Sequence, residues 1–323
     1  MKIFRHYTHV PGAYQGAVVA IGNFDGVHLG HQALIAEAAA KARERGAALA
    51  VLAFEPHPQE FFRPSEHSFR LTPFRVKARL LAELGVDAMF ALPFDAHLAT
   101  KSAQDFALDV LVRGLGVGCV VVGGDFQFGK GRAGNVTLLA YMGEMEGFGD
   151  DIFRPVIDGA EKISSTAIRE ALRHGKPDEA ARLLGHYWAV EARVEHGDKR
   201  GRAIGVPTAN MRLVDCLHPA FGVYAVRASV LEDERIVAQH KGVANFGIRP
   251  MFESQVPLLE TYLFDFDGDL YGRHVSVELV AYLRPEMNLS DLDALKAQIA
   301  KDIAAASVAL ALVPLNAPWA ARA

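Results

Sequence analysis

Two different patterns of secondary structure follow one another along the chain, and they constrain its fold more than any single motif. Over about the first 185 residues, short apolar runs alternate with helical patterns. Closely spaced β-rich segments come next, and a helical pattern returns only over 291–312. Alternation predicts a parallel sheet covered by helices, whereas consecutive strands predict an antiparallel barrel or sandwich. We therefore expect an α/β domain over 1–185 and a β-barrel domain with a closing helix over 186–323.

Length and composition agree with two ordinary globular domains. The chain has 323 residues, 50% of them hydrophobic, and a formal net charge of −4. This length supports two cores at roughly 100–200 residues per domain. The charge balance provides no basic surface for a polyanion. The two cysteines, Cys119 and Cys216, exclude a disulfide framework and a cysteine zinc site, and they favour a reducing compartment.

Neither end of the sequence predicts a membrane segment. Residues 1–15 contain charged side chains and no apolar core, unlike a signal peptide. The stretch 303–321 is uncharged for 19 residues, close to the roughly 20 that a spanning helix needs, but Pro314 and Pro318 interrupt it. We expect the buried end of an amphipathic helix followed by a coil. The protein is then soluble and cytoplasmic, and a monomer or a weak homo-oligomer.

Four apolar runs in the first part predict buried strands, and the loops after them are the places to look for a site. These runs span 17–21, 48–54, 88–91 and 119–122. The segment 31–45 predicts a helix that ends at Gly46. In parallel sheets, ligands lie beyond the carboxyl ends of the strands.

The segment GNFDGVHLGH, from Gly22 to His31, follows the first predicted strand and opens the first helix. Gly22, Gly26 and Gly30 let the backbone approach a ligand, and the N-terminus of the helix favours phosphate. His28 and His31 can direct two imidazoles at one anion and stabilise charge during attack on the α-phosphorus of a triphosphate. A glycine-rich turn with two surface histidines is the alternative. The position after the first strand favours the phosphate site.

A second anion site is predicted over 163–169, ISSTAIR. Ser164 or Ser165 can cap the helix that follows, and Gly175 can end it. Arg169 adds a cation one turn from Ser165, where the helix dipole already favours anions. A simple cap explains the serines alone, whereas serines and arginine together form a phosphate clamp.

In the second part, a basic loop with glycines over 197–205 leads into VPTAN, 206–210. In an extended segment Thr208 and Asn210 project to the same side. A hydroxyl and an amide oxygen are hard ligands that suit Mg²⁺. The sequence PTAN alone is typical of a turn, but the loop before it favours a lip that binds ATP and magnesium.

Two further β-rich segments, 255–266 and 273–283, belong to the predicted barrel. Glu260 shares a strand face with Tyr262, so it is either a rim residue or a general base beside a flat apolar ligand. The dipeptide Asp267-Gly268 lies between the two segments and is typical of a tight hairpin, which predicts that they pair.

The motifs of the first part resemble the HxGH nucleotidyltransferase superfamily. With FEPHP over 54–58 and GDFQFG over 124–129, they resemble the adenylyltransferase module of prokaryotic bifunctional riboflavin kinase/FAD synthetases. The resemblance implies a Rossmann-like domain that transfers AMP from ATP to FMN, giving FAD and pyrophosphate. It implies that His28, His31 and Arg169 are catalytic. It also implies a set of residues that bind ATP or flavin: Gly22, Phe24, Asp25, Gly26, Gly30, His57, Asp125, Ser164, Ser165 and Thr166.

The second part resembles the riboflavin kinase module of the same family. The matching sequences occur in the family's order: RGR and GVPTAN over 200–210, GVY over 222–224, GVAN over 242–245, 264–272, and LRPE over 283–286. The resemblance implies phosphoryl transfer from ATP to the 5′-hydroxyl of riboflavin, with Glu260 as base and Thr208 and Asn210 on Mg²⁺. It further implies that ATP or flavin is bound by Gly201, Arg202, Gly205 and Arg284.

We therefore expect a bifunctional enzyme that acts on riboflavin, FMN and ATP, produces FAD, and binds neither nucleic acid nor a membrane. Met251 and Tyr262 replace the Thr and His that are common in the family, which affects the flavin pocket. One alternative is an adenylyltransferase for another phosphate acceptor with a non-catalytic barrel, and the presence of Thr208, Asn210 and Glu260 argues against it. Another is a flavin-binding regulator or RNA-binding module, and the acidic second part argues against that.

Overall fold

The computed structural model describes residues 1–63, 69–153, 157–158, 161–197, 204–233, 235–248, 256–287 and 291–315. Contacts within the chain divide it into two compact units. The first comprises Met1–His67 and Phe74–Ser164, and the second comprises Ser68–Pro73 and Ser165–Ala323. The boundary between sequence modules at residues 185 and 186 stays a prediction, since the division by contacts concerns packing alone.

A six-stranded parallel sheet forms the centre of the first unit. The strands of this unit are β1 (Lys2–Phe4), β2 (Val18–Ile21), β3 (Leu49–Glu55), β4 (Ala88–Pro93), β5 (Cys119–Gly123), β6 (Gln127–Phe128), β7 (Gly134–Asn135), β8 (Gly149–Phe153), β9 (Ile157–Asp158) and β10 (Glu161–Lys162). The sheet has the order β1-β4-β3-β2-β5-β8, and the other strands form two short pairs. The central strands are buried along almost their whole length, as expected where helices cover both faces of a sheet. All four predicted strands are confirmed.

Helices surround this sheet. They are α1 (Leu29–Arg45), α2 (Pro58–Phe62), α3 (Phe74–Glu83), α4 (Ala96–Thr100), α5 (Ala103–Asp105), which continues in π-helical turns over Phe106–Leu115, and α6 (Val136–Glu146). Helix α1 ends at Gly46 as predicted, in the left-handed conformation with φ 61°.

The order of the strands places a switch point between β2 and β5. The chain proceeds from β2 to β3 and β4 on one side of the sheet, and from β5 to β8 on the other. Ligands of open α/β sheets bind beyond the carboxyl ends of the strands at such a point. The loop after β2, which carries the predicted phosphate motif, lies there.

The second unit is built on a six-stranded antiparallel sheet that closes almost into a barrel. Its strands are β11 (Ala189–Arg193), β12 (Ala209–Arg212), β13 (Gly222–Glu232), β14 (Arg235–Gly247), β15 (Leu258–Leu263) and β16 (His274–Arg284), in the order β11-β16-β13-β14-β15-β12. A bridge between Glu195 and Asn210 joins the two edges. The helices are α7 (Ser165–Arg173), α8 (Pro177–Leu184) and α9 (Leu292–Ala309). The predicted antiparallel barrel with a closing helix is confirmed.

Helix α9 packs on the barrel through its uncharged end. Ala306 and Leu310 are buried against β13 and β14, whereas Val308 is 79% exposed. Lys241 Nζ donates a hydrogen bond to the carbonyl of Leu310 at 2.6 Å, and a cation at the carboxyl end of a helix is favourable. In the part of the chain that the structure describes, no helix is long and apolar enough to span a membrane.

The hairpin predicted at Asp267-Gly268 is wrong. Strand β15 pairs with β14 and β12, and β16 pairs with β13 and β11, so the strands on either side of this dipeptide are not neighbours. A tight hairpin instead joins β13 and β14, where Glu232 lies opposite Arg235. The preference of a dipeptide for a turn is local, whereas the pairing of strands depends on the closure of the whole barrel. A dipeptide therefore cannot predict which strands pair.

Candidate functional site

Two stacked histidines form the centre of the candidate site on the first unit. His28 is the N-cap residue of α1, and its Nδ1 accepts a hydrogen bond from the backbone N–H of His31 at 3.3 Å. The two imidazole rings stack with centroids 3.6 Å apart and planes 16° apart. A Cβ at Gly30 would lie 3.2 Å from the ring of His28. Glycine at this position therefore leaves room for the stack.

The backbone before the histidines adopts an unusual conformation that buried side chains hold in place. Phe24 and Val27 have φ of 51° and 45°, and Gly26 has φ of 85°. The side chains of Phe24, Asp25 and Val27 are all buried. Left-handed backbone at non-glycine residues costs of order 1–3 kcal/mol and persists where packing enforces it, often at functional sites. The loop therefore has one fixed shape.

His31 is neutral at physiological pH. Burial, then the nearby His28, then Lys77 hold its pKa well below the ordinary value of histidine. Its Nδ1 is buried and has no hydrogen-bond partner among the residues that the structure describes. His31 therefore meets an anion as an uncharged imidazole.

Lys77 also belongs to this environment, although it was not among the residues predicted from sequence. It lies on α3 with only 2% of its surface exposed, and its Nζ is 3.6 Å from a carboxylate oxygen of Glu55 at the end of β3. The signal was present: Val76, Leu80 and Leu81 mark the buried stripe of α3, and position 77 lies on the same stripe.

Two other predicted residues, His57 and Asp125, come from loops on either side of the histidine loop. Strands β3 and β5 flank β2 in the sheet, and these residues follow them directly. His57 caps α2, and its Nδ1 accepts from the N–H of Gln59 at 3.1 Å. Asp125 is exposed after β5. Three neighbouring strands thus supply predicted site residues at one edge of the sheet.

An exposed aromatic cluster adjoins His57 and was also missed. Phe61 and Phe62 of α2 contact Phe94, with ring centroids 5.5 and 5.7 Å apart. Phe62 is 65% exposed. Aromatic surfaces of this kind stack with flat apolar groups. The pair of phenylalanines that begins three residues after the FEPHP motif is the sequence signal that could have identified it.

The residues of the phosphate clamp predicted over 163–169 are distributed between the two compact units. Ser164 ends the first compact unit, whereas Ser165, Thr166 and Arg169 belong to the second. Arg169 Nε donates to the carbonyl of Phe69 at 2.8 Å, and its guanidinium lies 5.2 Å from the centre of the Phe69 ring. These contacts fix the side chain of Arg169. A contact of this arginine with ATP stays a prediction.

In the second unit, Glu260 lies between two asparagines. The register pairs it with Asn210 on β12 and with Asn245 on β14, so the three side chains form a row on one face of the sheet. Asn245 was not among the predicted site residues. It belongs to the GVAN sequence, but only the strand register shows that it faces the predicted base.

The surroundings of Asn210 fit a divalent cation. The residue is 5% exposed, and its Oδ1 has no hydrogen-bond partner within the described ranges of the chain. Its Nδ2 donates to the carbonyl of Thr208 at 3.2 Å, which holds the two residues together. A Cβ at Gly197 would lie 2.5 Å from the amide, so glycine there allows the backbone to approach. An unsatisfied amide oxygen near a hydroxyl is a hard-ligand set.

A cavity of about 210 Å³ opens beside Thr208. Its walls come from the residue after β11, the start of β12 with the two residues before it, β15, and the loop between β15 and β16. The lining residues are Val194, Pro207, Thr208, Ala209, Thr261, Leu263 and residues 266–271. The Asp267-Gly268 dipeptide is part of this wall rather than a hairpin turn. Of the predicted loop residues, Gly205 is exposed with φ 82°, whereas Gly201 and Arg202, like Met251, lie outside the described residues.

Arg284 is held by helix α9. Its Nε and Nη2 donate to the two carboxylate oxygens of Asp302 at 2.8 and 2.7 Å, and its Nη1 donates to the carbonyl of Pro285 at 2.8 Å. Asp302 is buried and also accepts from Gln298 at 2.9 Å. Bidentate pairs of this geometry are among the strongest side-chain contacts. The three guanidinium nitrogens of Arg284 each have a protein partner.

Comparison with known proteins identifies both halves of the chain. The family model of FAD synthetase matches residues 11–167, and the model of riboflavin kinase matches residues 184–310. A bifunctional riboflavin kinase/FMN adenylyltransferase of Escherichia coli (strain K12) is 43% identical over 303 residues, 94% of this chain and 96% of the relative. The chain belongs to this bifunctional family. The relative from Pseudomonas fluorescens, with the same name, is 40% identical over 95% of this chain and 97% of its own length.

A solved structure supports the same fold over most of the chain. It is titled a macrolide-efflux protein from Streptococcus pneumoniae, has a TM-score of 0.80 and 29% identity, and covers 93% of this chain and 96% of its own. The predicted resemblance to riboflavin kinase/FAD synthetases is thus confirmed, and both modules of the family are present.

Proposed function

We propose that this protein phosphorylates riboflavin to FMN with one ATP and then transfers AMP from a second ATP to FMN, giving FAD and pyrophosphate. One observation carries the proposal. The stacked pair His28–His31 and the row Asn210–Glu260–Asn245 lie in different units, and each lies in the region matched by its own family model. In the second unit, the cavity beside Thr208 gives room for ATP. In the first unit, the exposed aromatic cluster beside His57 gives a surface for flavin.

In the adenylyltransferase reaction, a phosphate oxygen of FMN attacks the α-phosphorus of ATP, and pyrophosphate leaves. His28 and His31, the latter as a neutral imidazole, donate ring N–H groups to phosphate oxygens and stabilise the charge that develops there. Free N–H groups at the start of α1 face the same anion. We assign Ser164, Ser165, Thr166 and Arg169 to the ATP phosphates as well.

In the kinase reaction, the 5′-oxygen of riboflavin attacks the γ-phosphorus of ATP, and ADP leaves. Glu260 accepts the proton of the hydroxyl, and the asparagines on either side of it limit its movement. Thr208 and Asn210 would hold Mg²⁺, which neutralises phosphate charge when bound. Positioning and charge neutralisation dominate phosphoryl transfer, so few protein groups suffice.

A cytoplasmic location accompanies the proposal, because ATP is the co-substrate and both cysteines are free thiols. The absence of nucleic-acid and membrane partners and the oligomeric state, a monomer or a weak homo-oligomer, stay predictions.

The test is a time course with riboflavin, ATP and Mg²⁺, in which flavins are separated chromatographically. We expect FMN first and FAD later, and FAD alone when FMN replaces riboflavin. FMN without FAD in both reactions would restrict the protein to the kinase. Neither product would refute the proposal.

A further inference from the structure

The buried ammonium of Lys77 has no role in the two reactions as described so far. Lys77 is almost completely buried, and lysines are rarely so unless they are paired. Its ammonium faces a carboxylate oxygen of Glu55 at 3.6 Å, which is an ion-pair distance but longer than a hydrogen bond. The two residues lie on different elements, so packing rather than chain proximity holds them together. A buried charge that packing retains is a candidate for function.

The position of Glu55 brings this ion pair to the edge of the sheet where the histidines lie. Strand β3 pairs with β2 in the register Leu52 with Ile21, and Glu55 ends β3 three residues later. The N–H of Gly22, at the start of the histidine loop, donates to the carbonyl of Leu52 at 3.1 Å. The charge of Lys77 also acts directly on His31. Lys77 therefore belongs to the environment of the two imidazoles.

We propose that Lys77 is a positioning residue of adenylyl transfer, whose ammonium, fixed by Glu55, provides a permanent positive charge beside the stacked imidazoles of His28 and His31. This inference rests on the proposed adenylyltransferase function. The positive charge of Lys77 strengthens the hydrogen bonds from the imidazoles to the phosphate oxygens. It does so as negative charge develops on those oxygens during attack on the α-phosphorus.

The stack itself explains why a separate cation is needed. Two imidazolium rings at a centroid distance of 3.6 Å would repel each other strongly, so the pair cannot supply two positive charges. A triphosphate nevertheless brings several negative charges to the site. A buried ammonium acts through a medium of low dielectric constant and needs no reorganisation during the reaction. Lys77 supplies a positive charge that does not require a second protonated imidazole in the stack.

The test compares Lys77→Met, Lys77→Arg and the control Lys41→Met. Lys41 lies on α1 and pairs with Asp151. We expect Lys77→Met to lower kcat of FMN adenylylation about 100-fold, the low end of the loss when one preorganised stabilising group is removed, with KM for FMN changed less than about threefold because that charge acts mainly in the transition state. Lys77→Arg keeps the charge and should retain most of the rate, and Lys41→Met should equal the wild type. Riboflavin phosphorylation, measured in each preparation, reports whether the second unit is folded, and thermal unfolding followed by circular dichroism reports whether the first unit is folded as well.

The pH profile gives a readout that a purely structural role would not move. The groups that act on His31 are His28 on its own segment and Lys77 from α3, and Glu55 faces Lys77. The charge of Lys77 lowers the pKa of His31, so its removal raises that pKa. His31 then becomes protonated at a higher pH, and the acid limb of kcat for FAD formation shifts upward in Lys77→Met. No shift is expected in Lys41→Met.

The double variant Lys77→Met with Glu55→Gln separates the two roles of the ion pair. It removes both charges and leaves no unpaired carboxylate, so the melting temperature should recover while kcat stays low. Recovery of kcat together with stability, or an unchanged acid limb in Lys77→Met, would overturn the inference. Failure of the wild-type protein to form FAD from FMN would instead refute the proposed function.

Discussion

The two units place their candidate sites in opposite ways. In the first, the site lies in loops beyond the carboxyl ends of parallel strands, and its centre is one continuous segment from Gly22 to His31. In the second, the site lies on the sheet itself, where Asn210, Glu260 and Asn245 come from three strands. A loop site depends on the shape of one segment, whereas a sheet site depends on the register between strands. The two sites should therefore fail separately.

The largest expected effect comes from the first site. In His28→Ala, the ring stack and the hydrogen bond to the N–H of His31 are both lost. We expect FAD formation to fall about 1,000-fold, within the range for loss of a preorganised group, while FMN accumulates from riboflavin at the normal rate. Chromatography of the flavins over time measures both. His6→Ala, on an exposed histidine of the same unit, is the control. A parallel loss of FMN formation would contradict separate sites.

The next largest effect is expected at the second site. Glu260→Gln keeps the size of the side chain but removes its basicity, so riboflavin phosphorylation should fall about 100-fold or more. Supplied FMN should still be adenylylated at the rate of the wild type. The exposed Glu232, changed to Gln, is the matched control on the same sheet. If Glu260→Gln retained full kinase activity, the rim interpretation of this residue would be correct instead.

The extent to which these sites could be predicted from sequence follows from the same contrast. The segment from Gly22 to His31 is contiguous, so its glycines and histidines indicated a phosphate site before the fold was known. Asn245 could not be assigned in this way, since only the pairing of β14 with β15 brings it to Glu260. The failed hairpin at Asp267-Gly268 has the same cause, because strand order is a property of the closed barrel.

Lys77 and Arg284 show the limit for charged residues. From sequence alone, a charged residue is predicted either to be exposed or to bind a ligand. Lys77 is instead buried, on a helix stripe that contains apolar neighbours. Arg284 belongs to a motif typical of the family, but its partner Asp302 is on a helix that docks from elsewhere in the chain. Helix docking depends on the complete surface of the barrel, which no local pattern contains.

The smallest expected effect sharpens the role of Arg284. Asp302→Asn removes the bidentate partner and leaves a guanidinium that is only partly exposed. We expect the free energy of unfolding to fall by about 2–3 kcal/mol, near the low end for breaking a buried ion pair, and KM of the kinase to rise only a few-fold. Denaturant titration and kinase assays measure these. Asp293→Asn, on the exposed first turn of α9, should change stability by about 0.5 kcal/mol. A large kinase loss without destabilisation would show that the ion pair acts on substrate rather than on α9.

The most direct test of two independent sites mixes two variants that each lack one of the two activities. His28→Ala should make FMN but not FAD, and Glu260→Gln should adenylylate FMN but not produce it. When the two variants are combined with riboflavin, ATP and Mg²⁺, FMN released by the first is the substrate of the second, so FAD should form at a rate that increases with the concentration of Glu260→Gln. A mixture that forms no FAD, although each variant retains its own step, would contradict the account.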